Sequence, residues 1–240
     1  LLKMEKPKEI LKFGINLEIY QSKELISMKN ILCFGDSNTW GYDPSTQRRF
    51  SKDIRWTGVL QQLLGSKYNI IEEGLNGRTT NVNEKQDHGL GYFRPFRSAM
   101  DLLSVLIETN SPLDLIIVML GTNDLKTNFN QSSEMIAKNM RLVCESIIDN
   151  DYFQSKSIIL VSPTHINEES PNLLDSFIGT TQASQSFSNS YRKISDDLDL
   201  YFLDASESVK TNKIDGLHWD AMQHSDFANS LFNKIKKVYS

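Results

Sequence analysis

A chain of 240 residues, 39% hydrophobic and 23% charged, is the size of one large domain and can bury a core without disulfides or a structural metal. Its 26 Lys and Arg against 30 Asp and Glu give a net charge of −4, with no basic block of the length that tracks phosphates, which argues against nucleic acid as a partner. No run approaches the ~18 apolar residues that span a bilayer, and the two cysteines, Cys33 and Cys144, stand far apart in apolar settings. They read as buried thiols of a soluble, cytoplasmic protein.

Residues 1–27 carry scattered Lys and Glu with no helical stripe, and a short alternation at Ile15, Leu17 and Ile19 suits an edge strand. We read them as a poorly patterned extension, with the domain proper over 28–240. From Met28 onward, continuously apolar runs predict strands at Ile31–Phe34, Asn69–Ile71, Leu115–Leu120, Ile158–Val161 and Tyr201–Leu203. Helical spacing joins Trp56, Val59, Leu60 and Leu63; Phe96, Met100, Leu103 and Ile107; Ile136, Met140, Val143 and Ile147; and Phe227, Leu231, Ile235 and Val238. Strands apolar on both faces between amphipathic helices predict a parallel sheet in a three-layer α/β domain. The Ser-, Asn-, Thr- and Gln-rich stretch from Asn167 to Ser190 reads as a long loop or a short polar helix beside the site.

Ligands of such sheets bind beyond the carboxyl ends of the strands. There the chain offers Gly35-Asp36-Ser37 after the first strand and Gly74-Leu75-Asn76-Gly77 after the second. The third ends in Gly121-Thr122-Asn123-Asp124, and Asp215-Gly216-Leu217-His218 precedes the last helix. A serine hydroxyl needs a base, and imidazole is the side chain suited to that task near neutrality. Asp215, three residues before His218, can turn back to accept from its Nδ1–H. The backbone N–H groups of Ser37 and Gly77 and the Asn123 amide can serve as three donors to an oxyanion.

These four blocks, in this order, resemble those of the SGNH hydrolases, also called GDSL-type esterases, over roughly Lys29 to the C-terminus. The text around them, including Arg55-Trp56-Thr57-Gly58-Val59-Leu60 and Val118-Met119-Leu120-Gly121, is similar to the arylesterase branch. The resemblance implies a flavodoxin-like α/β/α sandwich of about five strands and a serine esterase working through an acyl-enzyme. Its substrates would be small-molecule short-chain acyl or aryl esters, with acyl transfer to alcohols as a further capacity and no metal or cofactor. An O-deacetylase acting on sugars is the alternative enzyme. A carbohydrate- or lipid-binding module on the same fold is the alternative from another class, against which intact Ser37, Asn123 and His218 argue. One departure stands out: the family's usual leucine after the nucleophile is Asn38 here, so the polarity beside Ser37 is changed.

Other residues compete for roles. His165, at the end of the fourth strand, is the rival base, although it lacks an aspartate at a matching offset and better fits a substrate contact or a plain loop residue. Trp40 and Trp219 are candidates to wall the acyl pocket and Tyr92, Phe93 and Phe96 to line its rim, while Trp56 reads as core. Asp124 reads as holding its own loop, and His88 and His224 as surface groups. No G-x-S-x-G, phosphate-binding loop, H-E-x-x-H or complete dinucleotide fingerprint occurs. The sequence leaves a homo-oligomer open.

Overall fold

The computed structural model describes residues 28–83 and 95–239. The readings on residues 1–27, His88, Tyr92 and Phe93 therefore lie outside the described residues. A five-stranded parallel sheet, β1 (Lys29–Gly35), β4 (Tyr68–Gly74), β5 (Leu115–Met119), β6 (Ile158–Ser162) and β7 (Tyr201–Asp204), runs in the order β4-β1-β5-β6-β7. A two-stranded antiparallel ribbon, β2 (Tyr42–Asp43) and β3 (Arg48–Arg49), follows the first turn. Among the described residues no helix is long and apolar enough to cross a membrane.

Side-chain alternation sends each strand into two cores. Ile31, Cys33, Leu115, Ile117, Ile159 and Val161 pack with α2 (Trp56–Leu64) and α6 (Ala221–Val238) on one face. Leu32, Phe34, Ile116, Val118, Ile158 and Leu160 pack with α3 (Ala99–Asn110), α4 (Ser133–Ile148) and α5 (Thr181–Leu198) on the other. The inner strands β1, β5 and β6 are covered on both faces, which is why their runs are continuously apolar and why the three-layer reading holds, while the edge strands β4 and β7 are only partly buried. Because the chain lays β4 on one side of β1 and then crosses to β5 on the other, the loops after β1 and β5 diverge. A crevice opens at that switch point.

Three expectations need correction. The helix predicted from Phe96 begins at Ala99: Phe96 has φ 57° and is 65% exposed, and Thr79 pairs with Arg97 and Ala99, holding that segment extended. The polar stretch from Asn167 instead runs into the 18-residue α5, whose buried face is Ser184, Phe187, Tyr191, Ile194 and Ser195. Its helical period is hidden because hydroxyls fill buried positions. Ser195 Oγ donates to Tyr191 O, and Tyr191 Oη donates to Leu120 O at 3.0 Å. Finally, His224 is wholly buried, accepting from the Trp56 N–H at 3.3 Å between the Phe50 and Trp219 rings. It lies three residues before Phe227 and seven before Leu231, on the inward stripe of α6.

Candidate active site

The turn after β1 presents Ser37 at the start of α1 (Ser37–Trp40), a single four-residue turn capped by Asp36, whose Oδ1 accepts from the Asn38 N–H at 3.0 Å. This turn is pressed onto the strand ends. A Cβ at Gly35 would stand 2.1 Å from Thr39 Oγ1, and one at Gly74 would stand 2.1 Å from the Trp40 nitrogen, so only glycine admits the approach. Burial raises the Asp36 carboxyl to about 6, against the opposing pull of the Asn38 N–H, His218 and Arg78.

The loop before α6 is built around Asn212 and Asp215. Asn212 Oδ1 accepts from the Ile214 and Asp215 N–H groups at 2.7 and 3.2 Å, while its Nδ2 donates to His218 O at 2.7 Å. Asp215 Oδ1 accepts from the Leu217 and His218 N–H groups, both at 3.0 Å, and Oδ2 lies 2.5 Å from His218 Nδ1. Gly216, at φ 71°, makes the reversal between them. Burial pushes the Asp215 carboxyl up, but the hydrogen bonds from the His218 ring, the His218 charge and the two backbone N–H groups prevail and hold it below its ordinary value. An ionised Asp215 can only accept, so it places the imidazole proton on Nδ1. The Nε2 lone pair then faces Ser37 Oγ at 2.8 Å. The Tyr42 ring packs 4.4 Å from the imidazole, between ring centroids, and restricts its swing.

Two more loops close on Ser37. Gly77 has φ 78°, and Asn123 lies in a short 3-10 turn after β5 that Gly121 enters at φ 123°. Asn123 Nδ2 spends one hydrogen on Arg78 O at 3.1 Å and keeps the other. Arg78 in turn donates to Gly35 O at 2.9 Å, stacking its guanidinium over the Phe34 ring. The ends of β1, β4 and β5 are thus tied into one frame. Ser37, Gly77, Asn123 and His218 line one cleft of about 330 Å³, at the small end of the range for small-molecule sites. Leu174, Phe177 and Leu217 give it apolar walls. Chemically, the arrangement offers an activated hydroxyl, a base with a fixed tautomer and a set of N–H donors, which is the equipment for acyl transfer. Among the described residues no group of three or more His, Cys, Asp or Glu is placed to hold a metal ion.

The model of the GDSL-like lipase/acylhydrolase family matches residues 33–231. The chain belongs to that family. This acylhydrolase is a carboxylic ester hydrolase by family and by its structural neighbours. It superposes on the native aryl esterase of M. smegmatis with a TM-score of 0.79 and 32% identity, covering 87% of this chain and 99% of that one. A carbohydrate acetylesterase family member from Sinorhizobium meliloti gives 0.79 and 33%, covering 88% and 98%. None of the curated proteins matches it.

Not every expected pocket residue reaches the cleft of the acylhydrolase. Ser37, Asn38, Gly77, Asn123 and His218 line it and Asp215 backs it, but Trp40, Trp219 and His165 do not. Trp219 is fully buried in the α6 core, its Nε1 donating to Thr164 Oγ1 at 3.1 Å, because an apolar ring on that side of the loop finds Trp56 and Phe227 before solvent. Trp40 turns the other way, under the Arg49 guanidinium at 5.2 Å. His165 lines a separate cleft with Asn167 and Lys210, on the far side of the Asn212 loop. Phe96 is not among the lining residues either. In their place stand Leu174 and Phe177, from the polar stretch before α5, and Tyr42. The apolar pairs Leu173-Leu174 and Phe177-Ile178, set in a polar run, are the signal that sequence reasoning passed over. Asp124 reaches beyond its own loop: it is fully buried and accepts from both the N–H and the hydroxyl of Thr80.

Proposed function

We propose that this protein hydrolyses short-chain acyl esters through an acyl-enzyme. Ser37 is its nucleophile, His218 its general base and then acid, and Asp215 the partner that orients and stabilises the imidazolium. The observation that carries the reading is the 2.8 Å approach of Ser37 Oγ to His218 Nε2, backed by the 2.5 Å contact of Asp215 with Nδ1. Ser37 Oγ attacks the ester carbonyl as its proton passes to His218 Nε2. The oxyanion is held by the N–H groups of Ser37 and Gly77 and by Asn123. As the ester C–O bond breaks, His218 returns the proton to the leaving alcohol oxygen. Water then attacks the acyl carbon and gives a proton to His218, which returns it to Ser37 Oγ as the bond from Oγ to the acyl carbon breaks and the carboxylic acid departs.

A cleft of about 330 Å³ walled by Leu174 and Phe177 supports acetyl to butyryl groups over octanoyl and longer. A methylene that fits adds about 0.8 kcal/mol of burial, and one that clashes costs more. A second reading, O-deacetylation of carbohydrates, draws support from the Sinorhizobium meliloti relative and from the polar residues Asn38, Asn76 and Gln47 along the cleft. The two buried free thiols, Cys33 and Cys144, suit a reducing cytoplasm as its place of work.

A sulfonyl fluoride or organophosphonate tests the mechanism. Peptide mass spectrometry is expected to find the label on Ser37 and turnover of 4-nitrophenyl acetate lost in proportion. Labelling elsewhere, or a fully active Ser37→Ala, would refute it.

A further inference from the structure

Two cavities meet at His218: the cleft around Ser37, and a second of about 320 Å³ to which Asp215 belongs. They differ in charge. Among the described residues that line either, Asp215 is the one carboxylate, and it lines only the second. Lys126 is the one lysine or arginine, and it lines only the first, half-buried. Its place follows from the turn after β5. Lys126 comes three residues after Asn123 and its N–H donates to Asn123 O at 3.3 Å, so its side chain leaves the same turn that presents a proposed oxyanion donor. The ammonium stands 5.8 Å from the Phe129 ring centroid, and its three N–H donors let it hold several partners at once. The Thr122 hydroxyl and the Asn76 amide also line the first cavity and not the second. Asn76 Oδ1 is buried without a partner among the described residues, so the N–H₂ is the end of that amide left to the cleft.

Ester geometry decides which part of a substrate meets these groups. The carbonyl carbon stands at Ser37 Oγ with its oxygen towards the donors, and the alcohol oxygen faces the imidazole that protonates it. The acyl chain leaves the carbonyl carbon on the side away from the alcohol, within the first cavity, where Lys126 is and Asp215 is not. Resting on the active-site reading above, we propose that the preferred acyl group is a short one ending in a carboxylate, of the succinyl kind, and that Lys126 is the residue that selects it. Leu174 and Phe177 cover the methylenes, and the Lys126 ammonium takes the terminal carboxylate, with Thr122 and Asn76 as neutral donors beside it. A hydrogen bond between two charged groups is about twice as strong as a neutral one, so the lysine contributes more than its two neighbours. The chain is little longer than butyryl and suits a cleft of about 330 Å³. The same carboxylate placed on the alcohol would approach Asp215 and be repelled.

The test keeps methanol as the alcohol and varies the acyl end, setting monomethyl succinate against methyl succinamate, which has the same length and shape but ends in a neutral amide. For the wild type, kcat/KM for the half-ester over the amide is expected to be about tenfold. Added salt is expected to shrink that ratio, because it screens the pair. Lys126→Met keeps the apolar stem and is expected to bring the ratio to about one, and Lys126→Glu to take it below one. General damage to the fold lowers both esters together, so the ratio reports the lysine itself. A wild-type ratio of one or less, or a ratio unmoved by Lys126→Met, overturns the assignment, and the wild-type ratio with its salt dependence judges it without any variant. Methyl butyrate separates this from the active-site reading. If Ser37→Ala retains its turnover, that reading fails, whereas turnover lost in Ser37→Ala beside a wild-type ratio of one overturns the carboxylate preference alone.

Discussion

The carboxylate of Asp124, without exposure to solvent, takes both the N–H of Thr80, at 3.0 Å, and its hydroxyl, at 2.5 Å, across 44 residues of sequence. Thr80 lies three residues after Gly77 on the same loop, and Asp124 follows Asn123, so this pair fixes the spacing between two of the proposed oxyanion donors. Removing the hydroxyl while keeping the shape is expected to loosen that spacing. Thr80→Val should lower kcat for 4-nitrophenyl acetate by about tenfold with KM little changed, and Thr80→Ser should recover most of the loss. Steady-state kinetics of the two variants side by side check this. Equal kcat in both would remove the pair from catalysis.

Asp215→Asn keeps the shape of the proposed triad but puts a neutral amide opposite Nδ1. That amide no longer enforces the proton on Nδ1 or stabilises the imidazolium. Turnover is expected to fall by about 10⁴, while Ser37 stays in place. Single-turnover measurement of acylation reads the loss directly.

At Asn38 the side-chain nitrogen donates to Leu217 O at 3.2 Å, but the buried oxygen has no partner among the described residues. Asn38→Leu relieves one unpaired acceptor but leaves the buried Leu217 carbonyl without its donor, opposed terms of about 1–3 kcal/mol each, so the melting temperature is expected to change little. With a polar group removed beside Ser37, ester synthesis relative to hydrolysis in an alcohol–water mixture should increase. An unchanged ratio would mean that Asn38 does not influence which acceptor reaches the acyl group.

Buried ionisable groups set opposed pH dependences of stability. Burial, with smaller contributions from the His218 and Arg55 charges, drives His224 down from 6.5 to about 3. Between those values the unfolded chain binds a proton that the folded one does not, so His224 costs stability as pH falls from 6.5 towards 3, at about 1.4 kcal/mol per pH unit. Asp124 is raised by burial to about 7, against the hydrogen bonds from Thr80, and has the reverse sign. Its protonated folded form is favoured at low pH, and that contribution is lost as pH rises from 3.8 through 7. Urea denaturation across pH 4–8 should show Asp124→Asn gaining on wild type as pH rises, and His224→Gln gaining on wild type as pH falls.

Features that repeat along the chain, or that close within a few residues of one another, are readable before the chain folds. The apolar runs at Ile31–Phe34 and Leu115–Leu120 marked buried parallel strands, because a sheet covered on both faces leaves no polar alternation. The Asp215–His218 pair was legible because its hydrogen bonds close within one turn, and Ser37, Gly77 and Asn123 because each stands where a strand runs out. The direction in which single side chains turn depends instead on the packed fold. Trp219 and His224 went inward because the α2–α6 interface offered apolar partners, and α5 formed on a face where Ser184 and Ser195 find backbone partners that periodicity cannot count. The cleft walls, Leu174 and Phe177, come from a polar stretch whose path is set by its packing on the rest of the fold. Contacts between residues far apart in sequence leave no local pattern, and the contacts that bound this cleft are of that kind.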